Sequence, residues 1–245
     1  ESGIVCHSFT EADGLILERH STIGLKLVEA LENDSMSLFF QPKAKVVGGA
    51  LSGMEALLRW QDDALGAINP QEIVQAADEL DKTTLLDDWV IKSSIAQIAA
   101  WQAEGLSVVP VSVNLSNESL VDEKLIDRIK ATLAHYKVDS SLLNIEVLET
   151  ALFNDINAIA PLMNKIVEAG IALSLDDFGV EYSSLRYLQM LPISTVKIDR
   201  SFVSQITENK DSAMLVKGII NIAHSMGMMT VAEGVETREQ FALIE

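Results

Sequence analysis

A chain of 245 residues, 48% of them hydrophobic, carries enough apolar material for one large core, and domains of this length are often barrels. Thirty-six acidic residues against 18 basic ones give a net charge of −18, a field that repels polyanions and excludes a broad DNA- or RNA-binding surface. It leaves room for one small phosphate ligand held through cations.

No apolar run nears the roughly 20 residues that span a bilayer, and the start carries no secretory pattern. The lone Cys6 excludes an internal disulfide framework and fits a reducing compartment. Residue 1 is Glu, so the expectation is an excised piece with an upstream domain. Residues 1–34 read as an N-terminal connector, in which "ERHSTIGLKLVEALEND" (Glu18–Asp34) has the pattern of an amphipathic helix.

From Ser35 onward short β-branched or aromatic runs alternate with helix-period segments. The strands predicted in chain order are "SLFFQPK" (37–43), "LSGMEALLRW" (51–60), "VPVSVNLS" (109–116), "LLNIEVLE" (142–149), "IALSLDD" (171–177), "STVKID" (194–199) and "MTVAEGV" (229–235). Between them Ile91, Ile95 and Ile98, and then Ile126, Ile129, Leu133 and Tyr136, step by three and four as one buried helix face requires. Helices are expected to end at Gly105, Gly170 and Gly227, each leading into an apolar strand. Strands alternating with helices mean a parallel sheet. No glycine-rich phosphate loop follows an early strand, which favours a (β/α) barrel over an open nucleotide-binding sheet. Seven strands are counted where such a barrel has eight, and the chain stops inside "TREQFALIE", so truncation before the last strand is expected.

Barrel active sites sit at the C-terminal ends of the strands. There this chain places Glu55, Asn114, Glu146 with Glu149, Asp176 with Asp177, Lys197 with Asp199, and Glu233 with Glu236. A single acid at a strand end is usually a helix cap; six strands converging are harder to explain so. Carboxylates packed together without cations repel, and some would have to protonate. Bound divalent metal resolves that conflict. The four histidines and Cys6 lie elsewhere, so an all-oxygen set points to Mg²⁺ or Mn²⁺ rather than Zn²⁺. The adjacent Asp176–Asp177 pair points to two ions, one carboxylate shared between them, an arrangement suited to phosphoester displacement. Lys197 adds a positive charge; its plainer reading is a surface lysine paired with Asp199.

"MEALLRW", "SVNLS", "IEVLE", "LDDFG", "VKID" and "VAEGVE", in this order, resemble the signature of the EAL domain family of bacterial cyclic di-GMP phosphodiesterases, over residues 35–245. The resemblance implies a modified TIM (β/α)8 barrel with an antiparallel first strand. It implies metal ligation by Glu55, Asn114, Glu146 and Asp176, with Asp177 on the second ion, and Glu233 as general base. Lys197 would meet the attacking water, Glu149 and Glu236 would brace the loop after the Asp pair, and Gln41 and Arg59 would contact substrate. Two Mg²⁺ or Mn²⁺ ions are implied, with Ca²⁺ inhibitory, together with a homodimer, an upstream signalling domain and a cytoplasmic location, including the cytoplasmic part of an inner-membrane protein. The sequence departs from the family pattern in "DDFGVEYSSL", where Val180 replaces a hydroxyl side chain and Glu181 a glycine. That departure supports the alternative of a cyclic di-GMP receptor with little or no turnover.

Overall fold

The computed structural model describes residues 11–180 and 185–244, so Glu181 lies outside the described residues. The chain divides into two compact units. One takes the residues up to Leu38 together with Leu58–Leu86; the other takes Phe39–Leu57 and the chain from Asp87 onward.

In the first unit, α1 (Glu11–Glu32) buries Ile23, Leu27 and Leu31, one residue per turn, and packs on α2 (Pro70–Glu79). The start of α2 is fixed locally. Asn69 accepts the N–H of Gln71 at 3.0 Å, the Glu72 carboxylate accepts the N–H of Asn69 at 3.1 Å, and Pro70 fills the first helical position. Glu72 also receives the Arg19 guanidinium at 2.6 and 3.1 Å, and this hydrogen bonding holds its carboxyl below the usual range. The strand β2 (Leu51–Asp62) ends in this unit at a turn where the Asp62 carboxylate accepts the N–H groups of Ala64 and Leu65. A short β3 (Gly66–Ile68), not expected from the sequence, returns antiparallel with Trp60 beside Ile68.

The second unit holds the rest of the sheet. β1 (Met36–Ala44) is joined to β2 by a tight loop in which Lys45 N–H donates to Ala50 O at 2.8 Å. Here the Ser52 hydroxyl reaches Lys43 O, and on the parts of the same strands that belong to the first unit the Ser37 hydroxyl reaches Arg59 O, pairings whose numbers run oppositely along the two strands. β1 is therefore antiparallel to β2. The strands β4 (Val111–Leu115), β5 (Leu143–Leu148), β6 (Ala172–Phe178), β7 (Thr195–Ile198) and β8 (Met229–Ala232) follow side by side, each parallel to its neighbour, with β2 parallel to β4. The seven expected strands are all present, and the first is antiparallel as expected of the modified barrel. Among the described residues β1 and β8 are the two ends of the order.

The connections are α3 (Thr83–Ala103), α4 (Leu125–Tyr136), α5 (Ala151–Glu168), α6 (Leu185–Met190), α7 (Arg200–Ser204) and α8 (Lys210–Ser225), with α9 (Arg238–Ile244) after β8. Ile91, Ile95 and Ile98 are buried on α3, as are Ile126, Ile129 and Leu133 on α4. Gly105, Gly170 and Gly227 follow their helices at φ of 77, 82 and 76°, the left-handed conformation their positions predicted. In the parallel strands Val113, Ile145, Val147, Leu173 and Leu175 fill one face, so the residues between them face the other way, and these are polar.

Candidate metal centre

The polar residues meet through their side chains rather than in one row of the sheet. Asn114 on β4 stands beside Glu146 on β5, Glu146 beside Ser174 on β6, with Asp176 two residues further along beside Leu148, and Lys197 on β7 beside Val231 on β8. At the centre is the Lys197 ammonium, its side chain 1% exposed. It lies 3.1 Å from Glu55, 2.6 Å from Glu146, 2.9 Å from Asp176 and 2.8 Å from Glu233. Burial alone would lower its pKa; Glu146, Asp176, Glu55 and Glu233 outweigh burial and raise it. The reading of Lys197 as a surface lysine paired with Asp199 is therefore overturned. Asp199 instead caps α7, accepting the Ser201 N–H at 3.0 Å.

Glu146 is completely buried and tied on both oxygens, Oε2 to Lys197 and Oε1 to Lys43 on β1. Burial opposes its ionisation, but the two ammonium groups hold its pKa below the usual value. Asn114 donates to Glu55 Oε1 at 3.1 Å.

Adjacent residues in a regular strand point to opposite faces, yet Asp176 and Asp177 serve one mouth. The pairing of β6 with β7 shifts register between Leu175 and Phe178, and Asp177 takes a φ of 54°, a left-handed conformation that Asp tolerates better than most residues. Its N–H donates to Asp176 Oδ1 at 2.9 Å, leaving Oδ2 for Lys197. Burial, then the charges of Asp176 and Asp199, push the Asp177 carboxyl up. Burial likewise raises Glu233 against the pull of Lys197.

Two groups of carboxylates result: Glu55, Glu146 and Asp176, and Asp176, Asp177 and Glu233. Within each, the oxygens lie within 4.8 Å of one another, and Asp176 belongs to both. These five carboxylates face two ammonium groups, Lys43 and Lys197, so negative charge remains uncompensated. An oxygen-only donor set with residual negative charge fits hard divalent cations.

Of the remaining predicted residues, Glu149 is buried, and its Oε2 accepts the Gly179 N–H at 3.0 Å while its own N–H donates to Asp176 O at 3.1 Å. Glu236 is exposed, and its N–H donates to Gln240 Oε1 at 2.7 Å. Gln41 is exposed on β1 in the second unit. Arg59 falls on β2 in the first unit, its Nη1 donating to Leu58 O at 2.7 Å. Sequence reading missed Lys43, Ser112, Asn144 and Ser174. The last three stand two residues before Asn114, Glu146 and Asp176, so the strand period of two would have found them.

Gly234, just after Glu233, has a φ of 68°, and a β-carbon there would stand 2.7 Å from Arg200 Cβ. Gly234→Ala is expected to destabilise the protein by about 2 kcal/mol, a fall in melting temperature of about 4–8 °C by thermal unfolding.

The chain matches the EAL domain family over residues 25–245. It is 31% identical over 229 residues to the cyclic di-GMP phosphodiesterase PA2567 of Pseudomonas aeruginosa, covering 93% of this chain and 39% of that protein. The chain thus spans well under half the length of that relative. Among solved structures it resembles the PaMucR phosphodiesterase in complex with c-di-GMP, with a TM-score of 0.85 and 32% identity over 91% of this chain and 90% of that one. It also resembles the FimX EAL domain of Pseudomonas aeruginosa bound to c-di-GMP, with a TM-score of 0.82 and 25% identity over 91% and 89%.

Proposed function

The chain belongs to the EAL domain family, and from that premise we propose that it hydrolyses one phosphodiester bond of cyclic di-GMP, giving the linear dinucleotide pGpG. The observation that carries this reading is the pair of overlapping carboxylate groups sharing Asp176. Glu55, Asn114, Glu146 and Asp176 would hold one Mg²⁺ or Mn²⁺ ion, and Asp176 with Asp177 the other. Bound there, two such ions supply Lewis acidity toward phosphate and a lowered pKa for water.

The side chains divide the remaining work. Burial raises the Glu233 pKa above the ordinary carboxylate value, which makes its carboxylate a stronger base toward a water proton, the role of the general base. Lys197 holds Glu233 Oε1 and keeps a positive charge where charge develops on the phosphate oxygens. Glu149 fixes the turn after β6 through Gly179, and Gln41, in the same unit as the carboxylates, would contact the nucleotide. An upstream signalling domain and a homodimer belong to the same proposal.

Chromatographic detection of pGpG from cyclic di-GMP tests the reading. Turnover is expected with Mg²⁺ or Mn²⁺, to vanish after chelation with EDTA, to return on adding either ion back, and to fail with Ca²⁺ alone. A folded protein that binds cyclic di-GMP under those conditions and never cleaves it would support the receptor alternative. Exposed Val180, in place of the family's hydroxyl residue beside the Asp pair, favours that alternative.

A further inference from the structure

Two residues before Asn114, Glu146 and Asp176 on their strands stands a second polar set, Ser112, Asn144 and Ser174, at positions that barrel interiors ordinarily fill with branched aliphatic side chains. Lys43 Nζ donates to the Ser112 hydroxyl at 2.8 Å as well as to Glu146 Oε1, and Asn144 Nδ2 spans from Ser112 to Ser174 at 2.8 Å each. The Lys43 stem reaches inward past Gly53, where a β-carbon would stand 3.9 Å from Lys43 Cδ. The lysine is 16% exposed and its partner carboxylate not at all. A charge buried this far persists only when paired.

We propose that Lys43 is a positioning residue for Glu146, fixing the orientation in which that carboxylate presents Oε2 to a divalent cation; this rests on the metal-centre reading above. The two lysines on Glu146 are not equivalent. Lys197 touches four carboxylates and can give up one contact while keeping three. Lys43 has Glu146 as its carboxylate partner and neutral Ser112 as its other anchor. It therefore pins Oε1 whether or not Oε2 is engaged. Without it the carboxylate turns about its last bond and its outward oxygen loses a defined direction.

The test is a Mn²⁺ titration of the nucleotide-free chain, read as loss of the free-ion electron paramagnetic resonance signal. Lys43→Met is expected to raise the Mn²⁺ dissociation constant about tenfold, the scale on which supporting contacts act. Lys43→Arg, which keeps the charge and the donors, is expected to stay within about threefold of wild type. Ser112→Ala frees the ammonium without removing it and is expected to weaken Mn²⁺ about threefold; it serves where Lys43→Met does not fold. Wild-type affinity in Lys43→Met, or in Ser112→Ala when it stands in, overturns the proposal, as does Lys43→Arg binding as weakly as Lys43→Met. A wild-type chain that takes up no Mn²⁺ overturns the metal-centre reading and this one with it.

Discussion

Asp176→Asn is expected to lower turnover of cyclic di-GMP by about 10³-fold, because several kcal/mol of transition-state stabilisation by metal is at stake and each 1.36 kcal/mol is a factor of ten. Asp176 is singled out because it belongs to both carboxylate groups. The amide keeps the size and can still accept the Asp177 N–H, but it loses the charge and the Oδ2 contact to Lys197. Asp177→Asn touches one group and is expected to cost less. Steady-state kinetics with Mn²⁺, alongside metal stoichiometry, checks both. Turnover within tenfold of wild type in Asp176→Asn would remove the shared-ligand mechanism.

The second large effect concerns Lys197→Met, and it appears first in the absence of metal. Four carboxylates, with exposures from 0 to 29%, would lose the cation at their centre. Breaking a buried ion pair by removing one partner costs about 3–5 kcal/mol, and in a chain of this size that lowers the melting temperature by about 10 °C. The loss should grow as pH rises. Glu146 is held ionised by Lys197 and Lys43, so the stability it contributes is present above the ordinary glutamate pKa and fades as pH falls through its lowered value. Acid therefore narrows the gap between variant and wild type. Added Mn²⁺ should recover most of the lost stability, since the ion replaces the missing charge, yet turnover should stay about 10²-fold down without the donor near the phosphate. Melting curves with and without Mn²⁺ check the first part, and a Mn²⁺-insensitive melting temperature would contradict it.

The sequence made the strands and the ligand level readable for a plain reason. Carboxylates at the ends of apolar runs are conspicuous, and a period of two assigns them to one face. The helices on Ile91–Ile98 and Ile126–Leu133 were equally legible, because a buried face needs that spacing. What stayed hidden was not local. Ser112, Asn144 and Ser174 are ordinary strand residues until the Asn144 amide joins them, and Lys43 meets Glu146 across 103 positions of chain. The return strand at Gly66–Ile68 is three residues long, too short for any periodicity. The joint use of Asp176 and Asp177 depends on a register shift and one left-handed residue, neither of which side-chain pattern encodes. Lys197 was seen as a charge near the site; its place at the centre of four acids required β7 to be set among its neighbours.

That central ammonium also bears on how the chain is made. Its tether offsets part of the acids' charge from the moment β7 docks, so the packing of these strands is less dependent on bound ions than in small domains that unfold when their metal is withdrawn. The same tether is a rival for the oxygens it holds. On the metal-centre proposal, an arriving ion would have to displace a competitor that cannot diffuse away, which would keep occupancy responsive to the free divalent concentration.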